Sequence, residues 1–204
     1  MNMKKDQYYA DYLGLEKVLD AQKPRSEEAG SPVHDELLFI ITHQTYELWF
    51  KQIIHEIDSV IDLFKESYIE EKNLSVIVNR LNRVSMIQEL LINQIKILES
   101  MTPMDFLEFR NLLNPASGFQ SKQFRVIENK LGLKRKDRLK FSKESYDSFL
   151  KKQDKDDVRN AEKQNSLFYY LEQWLERTPF LEDGSFNFWK EYKKSVNKML
   201  DEDI

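Results

Sequence analysis

Large apolar side chains recur at helical spacing along most of the chain. Residues 33–69 contain neither proline nor glycine, and their apolar residues lie on more than one face of a helix. A helix that is apolar nearly all round is buried, so this segment is predicted to be the central helix of a bundle. Residues 71–100 keep apolar positions three and four apart, which predicts a second long helix. The short polar turn between the two segments predicts an antiparallel hairpin.

Shorter helices are predicted on both sides of this hairpin. Thr102 and Pro103 are typical of an N-cap and a first helical residue, and Gly132 is typical of a helix end. The predicted segments are residues 9–20, 103–113, 118–132, 158–177 and 186–201. The fold class predicted for residues 1–204 is therefore all-α, a single domain built as a helical bundle around two long antiparallel helices.

Residues 134–160 interrupt this pattern with lysine, aspartate, arginine and serine. The run mixes both signs of charge, which favours a solvated, mobile insertion. A nucleic-acid-binding patch is the weaker alternative, because acidic residues break up the basic ones.

The amino-acid composition argues against several classes of protein. The chain has 31 Lys+Arg and 35 Asp+Glu, a formal charge of −4, which argues against a dedicated nucleic-acid-binding protein. No stretch has the roughly 18 consecutive apolar residues that a membrane span needs, and the N-terminus does not look like a signal peptide. Cysteine is absent, which excludes disulfides, thiolate metal sites and a cysteine nucleophile. These features predict a cytoplasmic protein that binds neither membranes nor nucleic acids.

His43 is the first candidate for chemistry, because it shares one helical face with Phe39, Tyr46 and Phe50. On a buried helix the pKa of such an imidazole is lowered, and a neutral ring can accept a proton or a hydrogen bond from a substrate. The spacing by itself favours a second interpretation, a core histidine that hydrogen-bonds a neighbouring helix. Both interpretations stay open at this point.

The other two histidines do not suggest a metal site. His34 lies at a predicted helix start and is interpreted as a structural or capping residue. His55 lies twelve residues after His43, about 18 Å along a helix, so one metal ion cannot bind both. We therefore predict no metal-ligating residues.

Arg110 is the second candidate, since it follows Phe106 and Phe109 in a short apolar helix. An arginine in such surroundings usually pairs with a nearby carboxylate, but guanidinium geometry also suits a bidentate grip on a ligand carboxylate. The residues that follow include Ser117 and Gly118, which are small enough to allow close approach of a cofactor or ligand.

Three blocks of the sequence resemble the tryptophan 2,3-dioxygenase family of haem enzymes. They are YYADYLGLEKVLDAQKP, HDELLFIITHQTYELWFKQIIHEIDSV and MTPMDFLEFRNLLNPASGFQSKQFRVIENKLG, which occur in the family's order. The resemblance implies a helical homotetramer that contains haem b and uses O2 to cleave the indole C2–C3 bond of L-tryptophan. The product would be N-formylkynurenine, in the kynurenine pathway of tryptophan catabolism.

The resemblance also implies roles for individual residues. His43 would hydrogen-bond the indole nitrogen, Arg110 would pair with the substrate carboxylate, and Ser117 and Gly118 would lie beside the haem. The remaining residues implied to contact the substrate are Phe39, Phe106 and Phe109 from the same chain and Tyr9, Tyr12 and Leu13 from the N-terminal arm of a neighbouring subunit.

One departure from the family pattern leaves the function open. The family holds its haem iron through a proximal histidine on a later helix, followed by a Gly/Ser-rich loop, but no histidine follows His55 here. One interpretation is that the sequence is the N-terminal part of a true dioxygenase. The alternative is a shortened relative that binds tryptophan or an indole without oxidising it, or that serves only as an oligomer subunit.

Overall fold

The structure, a computed structural model, describes residues 8–66, 68–138, 145–177, 182–183 and 186–202. Over these residues the fold is all-α, as predicted. The helices are α1 (Tyr9–Leu13), α2 (Leu15–Leu19), α3 (Arg25–Glu28), α4 (His34–Phe64), α5 (Glu71–Leu98), α6 (Pro103–Arg110), α7 (Lys122–Leu131), α8 (Lys152–Lys163), α9 (Leu167–Arg177) and α10 (Phe188–Glu202). Short 3-10 turns cover Asn111–Leu113, Gly118–Gln120 and Arg135–Asp137, and β1 (Glu182–Asp183) pairs antiparallel with β2 (Phe186–Asn187). No described helix combines the length and the hydropathy needed to cross a membrane.

The two long helices, α4 and α5, pack side by side. The Tyr46 hydroxyl of α4 donates a hydrogen bond to the Leu91 carbonyl of α5, and Arg83 of α5 pairs with Glu56 of α4 at 2.6 Å. Because the later residue of α4 meets the earlier residue of α5, the two helices run in opposite directions.

The hydrophobic core lies around the C-terminal half of α4. It is built from aliphatic and aromatic side chains of α4, α5, α7 and α9 together with the turn before α5: Ile53, Ile57, Val60, Ile61, Phe64, Ile69, Ile77, Val84, Ile87, Leu91, Ile127 and Leu167. The N-terminal half of α4 differs, because its buried residues are Glu36 and Thr42. The prediction that this helix is buried nearly all round is therefore wrong for its first half, where no described element covers the outer face.

The predicted helix over residues 9–20 is divided by Gly14. This glycine adopts the left-handed conformation, with φ of 61°, and its N–H bonds to carbonyls at the end of α1. A left-handed residue ends an α-helix and strongly favours glycine. Neither α1 nor α2 buries a residue, so both lie on the surface.

The predicted start of α6 is confirmed. The Thr102 hydroxyl accepts a hydrogen bond from the Asp105 N–H at 3.3 Å, and the Asp105 carboxylate accepts one from the Thr102 N–H at 3.0 Å. This reciprocal capping box satisfies two backbone groups that would otherwise lack partners at a helix start. The cap fixes the start of α6, the helix that carries Arg110.

Most described residues of the charged segment at 134–160 are exposed, but a few of them are anchored in the fold. Arg138 is buried, lies 3.9 Å from the Tyr146 ring centroid, and donates a hydrogen bond to the Asn129 side chain of α7. The Asn129 amide in turn donates to the Val158 carbonyl of α8 at 2.9 Å. The segment therefore carries a buried charge that its sequence did not distinguish from its solvated ones, and its mobility stays a prediction. Residues 139–144 of that interpretation lie outside the described residues.

The single helix predicted over residues 158–177 is two helices. α8 ends at Lys163, and α9 begins at Leu167 after the Ser166 hydroxyl accepts a hydrogen bond from the Tyr169 N–H. A serine that caps a helix start in this way offers the backbone an alternative to a continuous helix.

Glu36 is a buried carboxylate that joins α3 to the first turn of α4. Its two oxygens accept hydrogen bonds from the backbone N–H groups of Arg25 and Ser26, at 2.7 and 2.8 Å. Burial would raise the pKa of the Glu36 carboxyl, but the hydrogen bonds from Ser26 and Arg25 and the charge of Arg25 hold that pKa below its ordinary value. The sequence pattern gave no sign of this role, since an acid in a first helical turn ordinarily interacts with its own helix.

Replacing Glu36 with glutamine is expected to lower the free energy of unfolding by about 1–3 kcal/mol at pH 7, because the two hydrogen bonds lose the negative charge of their acceptor. A carboxyl with a lowered folded pKa stabilises the fold above its unfolded pKa, about 4.3, and this stabilisation disappears as the pH falls through the folded pKa. Urea unfolding between pH 7 and pH 3 measures the difference.

The difference between wild type and Glu36→Gln should therefore shrink below about pH 4. Glu27→Gln, at an exposed position of α3, is the control and should change little. A difference that stays constant with pH would show that the Glu36 charge does not stabilise the fold.

Candidate functional site

Helices α4 and α6 bring four of the predicted site residues together. The ring centroid of Phe39 lies 4.1 Å from that of His43 and 5.7 and 5.6 Å from those of Phe106 and Phe109. Phe106 and Phe109 are 5.4 Å apart, edge to face. On each helix the residues are three or four positions apart, so they share a face. We call these four rings the aromatic cluster.

His43 is held in one orientation by its own helix. Its Nδ1 lies 2.7 Å from the Phe39 carbonyl oxygen, which can only accept, so Nδ1 carries the hydrogen. In the neutral ring this leaves the lone pair on Nε2 free to accept a hydrogen bond from a ligand. His43 is exposed rather than buried as expected, because α6 flanks it and no described element covers it.

Arg110 ends α6 with its guanidinium carbon 5.9 Å from the Phe106 ring centroid. It is exposed, and the ion pairs within the described ranges do not include it. The described residues therefore provide no carboxylate that would pair with Arg110 for a purely structural role. The guanidinium is available to a ligand carboxylate at the edge of the aromatic cluster.

Ser117 and Gly118 begin the 3-10 turn that precedes α7. The Ser117 hydroxyl accepts a hydrogen bond from the Phe119 N–H at 3.3 Å, and the Gln120 side chain accepts one from the Ser117 N–H at 3.2 Å. A Cβ atom added to Gly118 would meet nothing within 4 Å, so the backbone there is open to close approach from outside.

The N-terminal site residues lie apart from this cluster. Tyr9, Tyr12 and Leu13 are 69%, 70% and 43% exposed on α1, and no described ring contact joins either tyrosine to the aromatic cluster. The Gln44 amide donates to the Ala21 carbonyl, which ties the segment after α2 to α4 close to His43. The structure thus leaves α1 accessible to another molecule.

The described residues contain no group of three histidine, cysteine, aspartate or glutamate side chains that could hold a metal ion. His34, His43 and His55 all lie on α4, and the nine and twelve residues that separate them correspond to about 13 and 18 Å of helix. At most one of them can therefore reach a given iron.

Comparison with known proteins identifies the family of this chain. A family model described as tryptophan 2,3-dioxygenase matches residues 1–204. The chain belongs to the tryptophan 2,3-dioxygenase family.

Curated proteins named tryptophan 2,3-dioxygenase are also similar to this chain in sequence. The protein from Bdellovibrio bacteriovorus is 51% identical over 197 residues, which are 97% of this chain and 55% of the relative. The protein from Dictyostelium discoideum is 50% identical over 97% of this chain and 49% of its own length. The protein from Anopheles gambiae is 51% identical over 95% of this chain and 50% of its own length. The chain thus spans about half the length of the curated relatives it matches.

Membership in the tryptophan 2,3-dioxygenase family confirms the resemblance found in the sequence. The aromatic cluster and Arg110 both come from the blocks that carried that resemblance. Sequence reasoning missed Glu36, which holds α3 against the start of α4 one turn before Phe39. No pattern around it indicated a partner ten residues upstream.

Proposed function

We propose that the protein takes part in oxidative cleavage of the L-tryptophan indole C2–C3 bond by O2, which gives N-formylkynurenine in the kynurenine pathway of tryptophan catabolism. The observation that carries the proposal is the aromatic cluster of α4 and α6 with an exposed Arg110 at its edge, which has no ion pair among the described residues. An aromatic surface beside a guanidinium matches the two ends of an aromatic amino acid.

Phe39 and Phe106 supply the surface for the indole ring, and Phe109 supports them. Phe39 and Phe106 are half-buried, and Phe109 is fully buried beneath them. Aromatic pairs favour offset or edge-to-face contact at 4.5–7 Å between centroids. An indole placed on Phe39 would extend the arrangement that these rings already have.

Arg110 supports recognition of the amino-acid end of the substrate. A guanidinium forms two parallel hydrogen bonds with a carboxylate, which fixes orientation as well as binding. Since the described residues offer Arg110 no competing carboxylate, the substrate would not have to displace one.

His43 would bind the indole N–H through Nε2. The hydrogen bond from Nδ1 to the Phe39 carbonyl already fixes the ring, so little orientational freedom would be lost when the indole binds. The role proposed for His43 is therefore to orient the indole.

Replacing His43 with alanine is expected to weaken L-tryptophan binding by only about 0.5–1.5 kcal/mol, because one neutral hydrogen bond is lost. Turnover should fall more than binding, since a misoriented indole reacts poorly. Dissociation constants and kcat of the protein at its natural length measure both effects. 1-Methyltryptophan, which has no indole N–H, is the control; an equal loss of its binding would mean that His43 acts through shape alone.

The family's haem supplies oxygen activation when it is bound, and the three histidines described here do not fit it, because all of them lie on α4. Haem iron needs an axial ligand such as histidine, cysteine, methionine or tyrosine, in this family a histidine. With His43 facing the substrate, no other histidine lies close enough on α4 to share the same centre. The roles proposed for the residues of this chain therefore do not involve haem b, and Ser117 and Gly118 remain predicted haem neighbours only.

The experiment that tests the proposal uses the protein at its natural length. L-Tryptophan and O2 are supplied, and the product is followed by absorbance and mass spectrometry. Formation of N-formylkynurenine would support the dioxygenase function. Saturable L-tryptophan binding without product would favour the second candidate, an indole-binding relative. Absence of both would leave the role of an oligomer subunit.

We further propose a homotetrameric, cytoplasmic protein, as the family resemblance implies. Tyr9, Tyr12 and Leu13 would then contact the aromatic cluster of a neighbouring subunit. Their high exposure in a single chain supports this role.

A further inference from the structure

A short segment that precedes α4 lies against both α4 and the turn that follows α6. It consists of residues 21–28, which lead into α3 and form it, and we call it the strap. Two of its residues, Pro24 and Ser26, are buried, whereas most of the others are exposed. A helix as short as α3 cannot cover its own side chains, so burial at these two positions requires contact with other parts of the chain.

One end of the strap is tied to α4 next to His43. The Gln22 amide donates a hydrogen bond to the Gln44 side chain at 2.5 Å, and the Gln44 amide donates one to the Ala21 carbonyl at 3.3 Å. Gln44 directly follows His43 in α4. The strap therefore begins beside the residue that is proposed to orient the indole.

Glu36 ties the other end of the strap to the first turn of α4. Its buried carboxylate accepts hydrogen bonds from two consecutive backbone N–H groups, those of Arg25 and Ser26, at 2.7 and 2.8 Å. Hydrogen bonds to an ionised carboxylate are about twice as strong as those between neutral groups such as the amides at the other end. Glu36 is therefore the stronger of the two attachments.

The strap also contacts the chain immediately after Arg110. The 3-10 turn Asn111–Leu113 packs against α3, and Arg110 is the last residue of α6 before this turn. Arg110 is exposed and has no ion pair among the described residues, so the backbone and the Phe106 ring set the place of its guanidinium. A displacement of the turn would therefore move Arg110 as well.

We propose that Glu36 is a positioning residue for substrate recognition. By holding the strap against α4, it holds the Asn111–Leu113 turn and thereby sets the position of Arg110 relative to the aromatic cluster. Glu36 is only 1% exposed and its two oxygens bond to the strap, so it does not touch the substrate itself. The inference rests on the proposed function, in which Arg110 binds the carboxylate of L-tryptophan.

The two ends of the substrate site are supported by different contacts. Phe106 and Phe109 pack on Phe39 and hold α6 against α4 on the side of Arg110 that precedes it in the chain. The strap supports the other side, at Asn111–Leu113. Loss of the Glu36 charge should therefore disturb the end of the site that binds the carboxylate and leave the indole surface in place.

The test compares Glu36→Gln with Glu56→Gln in the protein at its natural length. Glu56 is a matched control because it is a buried glutamate of the same helix, whose side chain accepts hydrogen bonds from Gln52 and Arg83 at 2.7 and 2.6 Å. It lies about 30 Å further along α4. Both substitutions remove a buried charge and should lower stability, but only Glu36 holds the strap. Dissociation constants for L-tryptophan and tryptamine are measured at pH 7, at a temperature where thermal unfolding shows each variant to be folded.

Glu36→Gln is expected to weaken L-tryptophan binding by roughly 10-fold, the effect of losing about one hydrogen bond to a charged group when Arg110 is misplaced. Tryptamine binding should stay nearly unchanged, since tryptamine has no carboxylate. Glu56→Gln should change the binding of neither ligand. In the Arg110→Ala variant, Glu36→Gln should cause no further loss of tryptophan affinity, because two residues that act through one interaction are not additive.

Three results would overturn the proposal: equal losses for the two ligands, a loss that adds fully to that of Arg110→Ala, or the same loss with Glu56→Gln. Each would show that Glu36 acts on stability alone. Failure of the proposed function would look different, because wild type would then bind L-tryptophan no better than tryptamine and Arg110→Ala would change neither affinity. That result would overturn the carboxylate-binding role of Arg110 and this inference with it.

Discussion

Replacing Arg110 with alanine is expected to weaken L-tryptophan binding by about 2–5 kcal/mol, because the substrate carboxylate would be left without its charged partner. Arg110 lies 5.9 Å from the Phe106 ring and is exposed without an ion pair among the described residues. Its removal should therefore weaken binding without breaking an ion pair among the described residues. Equilibrium dissociation constants for the protein at its natural length measure the loss.

Tryptamine separates the carboxylate role of Arg110 from other roles. It keeps the indole ring and lacks the carboxylate, so it should bind wild type poorly and lose little more with Arg110→Ala. Arg110→Lys should recover only part of the tryptophan affinity, since an ammonium cannot form the bidentate pair. If Arg110→Ala weakens tryptophan and tryptamine binding by the same factor, the carboxylate-binding interpretation is wrong.

Replacing Phe109 with alanine is expected to lower the free energy of unfolding by about 3–5 kcal/mol. Phe109 has 0% of its surface exposed and contacts both Phe39 and Phe106. The substitution removes a buried ring and leaves a cavity that α4 and α6 can only partly close. Urea unfolding followed by circular dichroism measures the change.

Leu107 is the control for Phe109, because it lies on the same helix and is 51% exposed. Leu107→Ala should lower the free energy of unfolding by much less than Phe109→Ala. Equal losses for the two variants would mean that α6 does not depend on its contact with α4, and that the aromatic cluster does not hold the two helices together.

The sequence predicted the elements whose signals are local. The long apolar periodicities of α4 and α5 and the Thr102–Pro103 start of α6 were confirmed, because spacing and capping depend on residues within one or two turns. The family was also confirmed, because the blocks that carry the resemblance are contiguous stretches of the sequence. The roles of His43, Arg110, Ser117 and Gly118, and those of Tyr9, Tyr12 and Leu13, remain predictions.

Predictions that depended on contacts across the fold were less accurate. Most described residues of the charged segment at 134–160 are exposed, as the sequence indicated, but it did not indicate that Arg138 is buried, stacks on Tyr146 and bonds to Asn129 of α7. Residues 9–20 and 158–177 each became two helices, since Gly14 and Ser166 ended or capped a helix where apolar spacing continued.

The sequence by itself determined the all-α class, the long hairpin, the family, and the two helices that carry His43 and Arg110. Only the tertiary structure decided which faces of those helices are covered. Among the described residues, it left Arg110 without an ion pair and His43 exposed, and it buried Glu36 against α3. The physical reason is that helical periodicity reports where apolar side chains point along one helix, whereas burial depends on which other helix lies against that face.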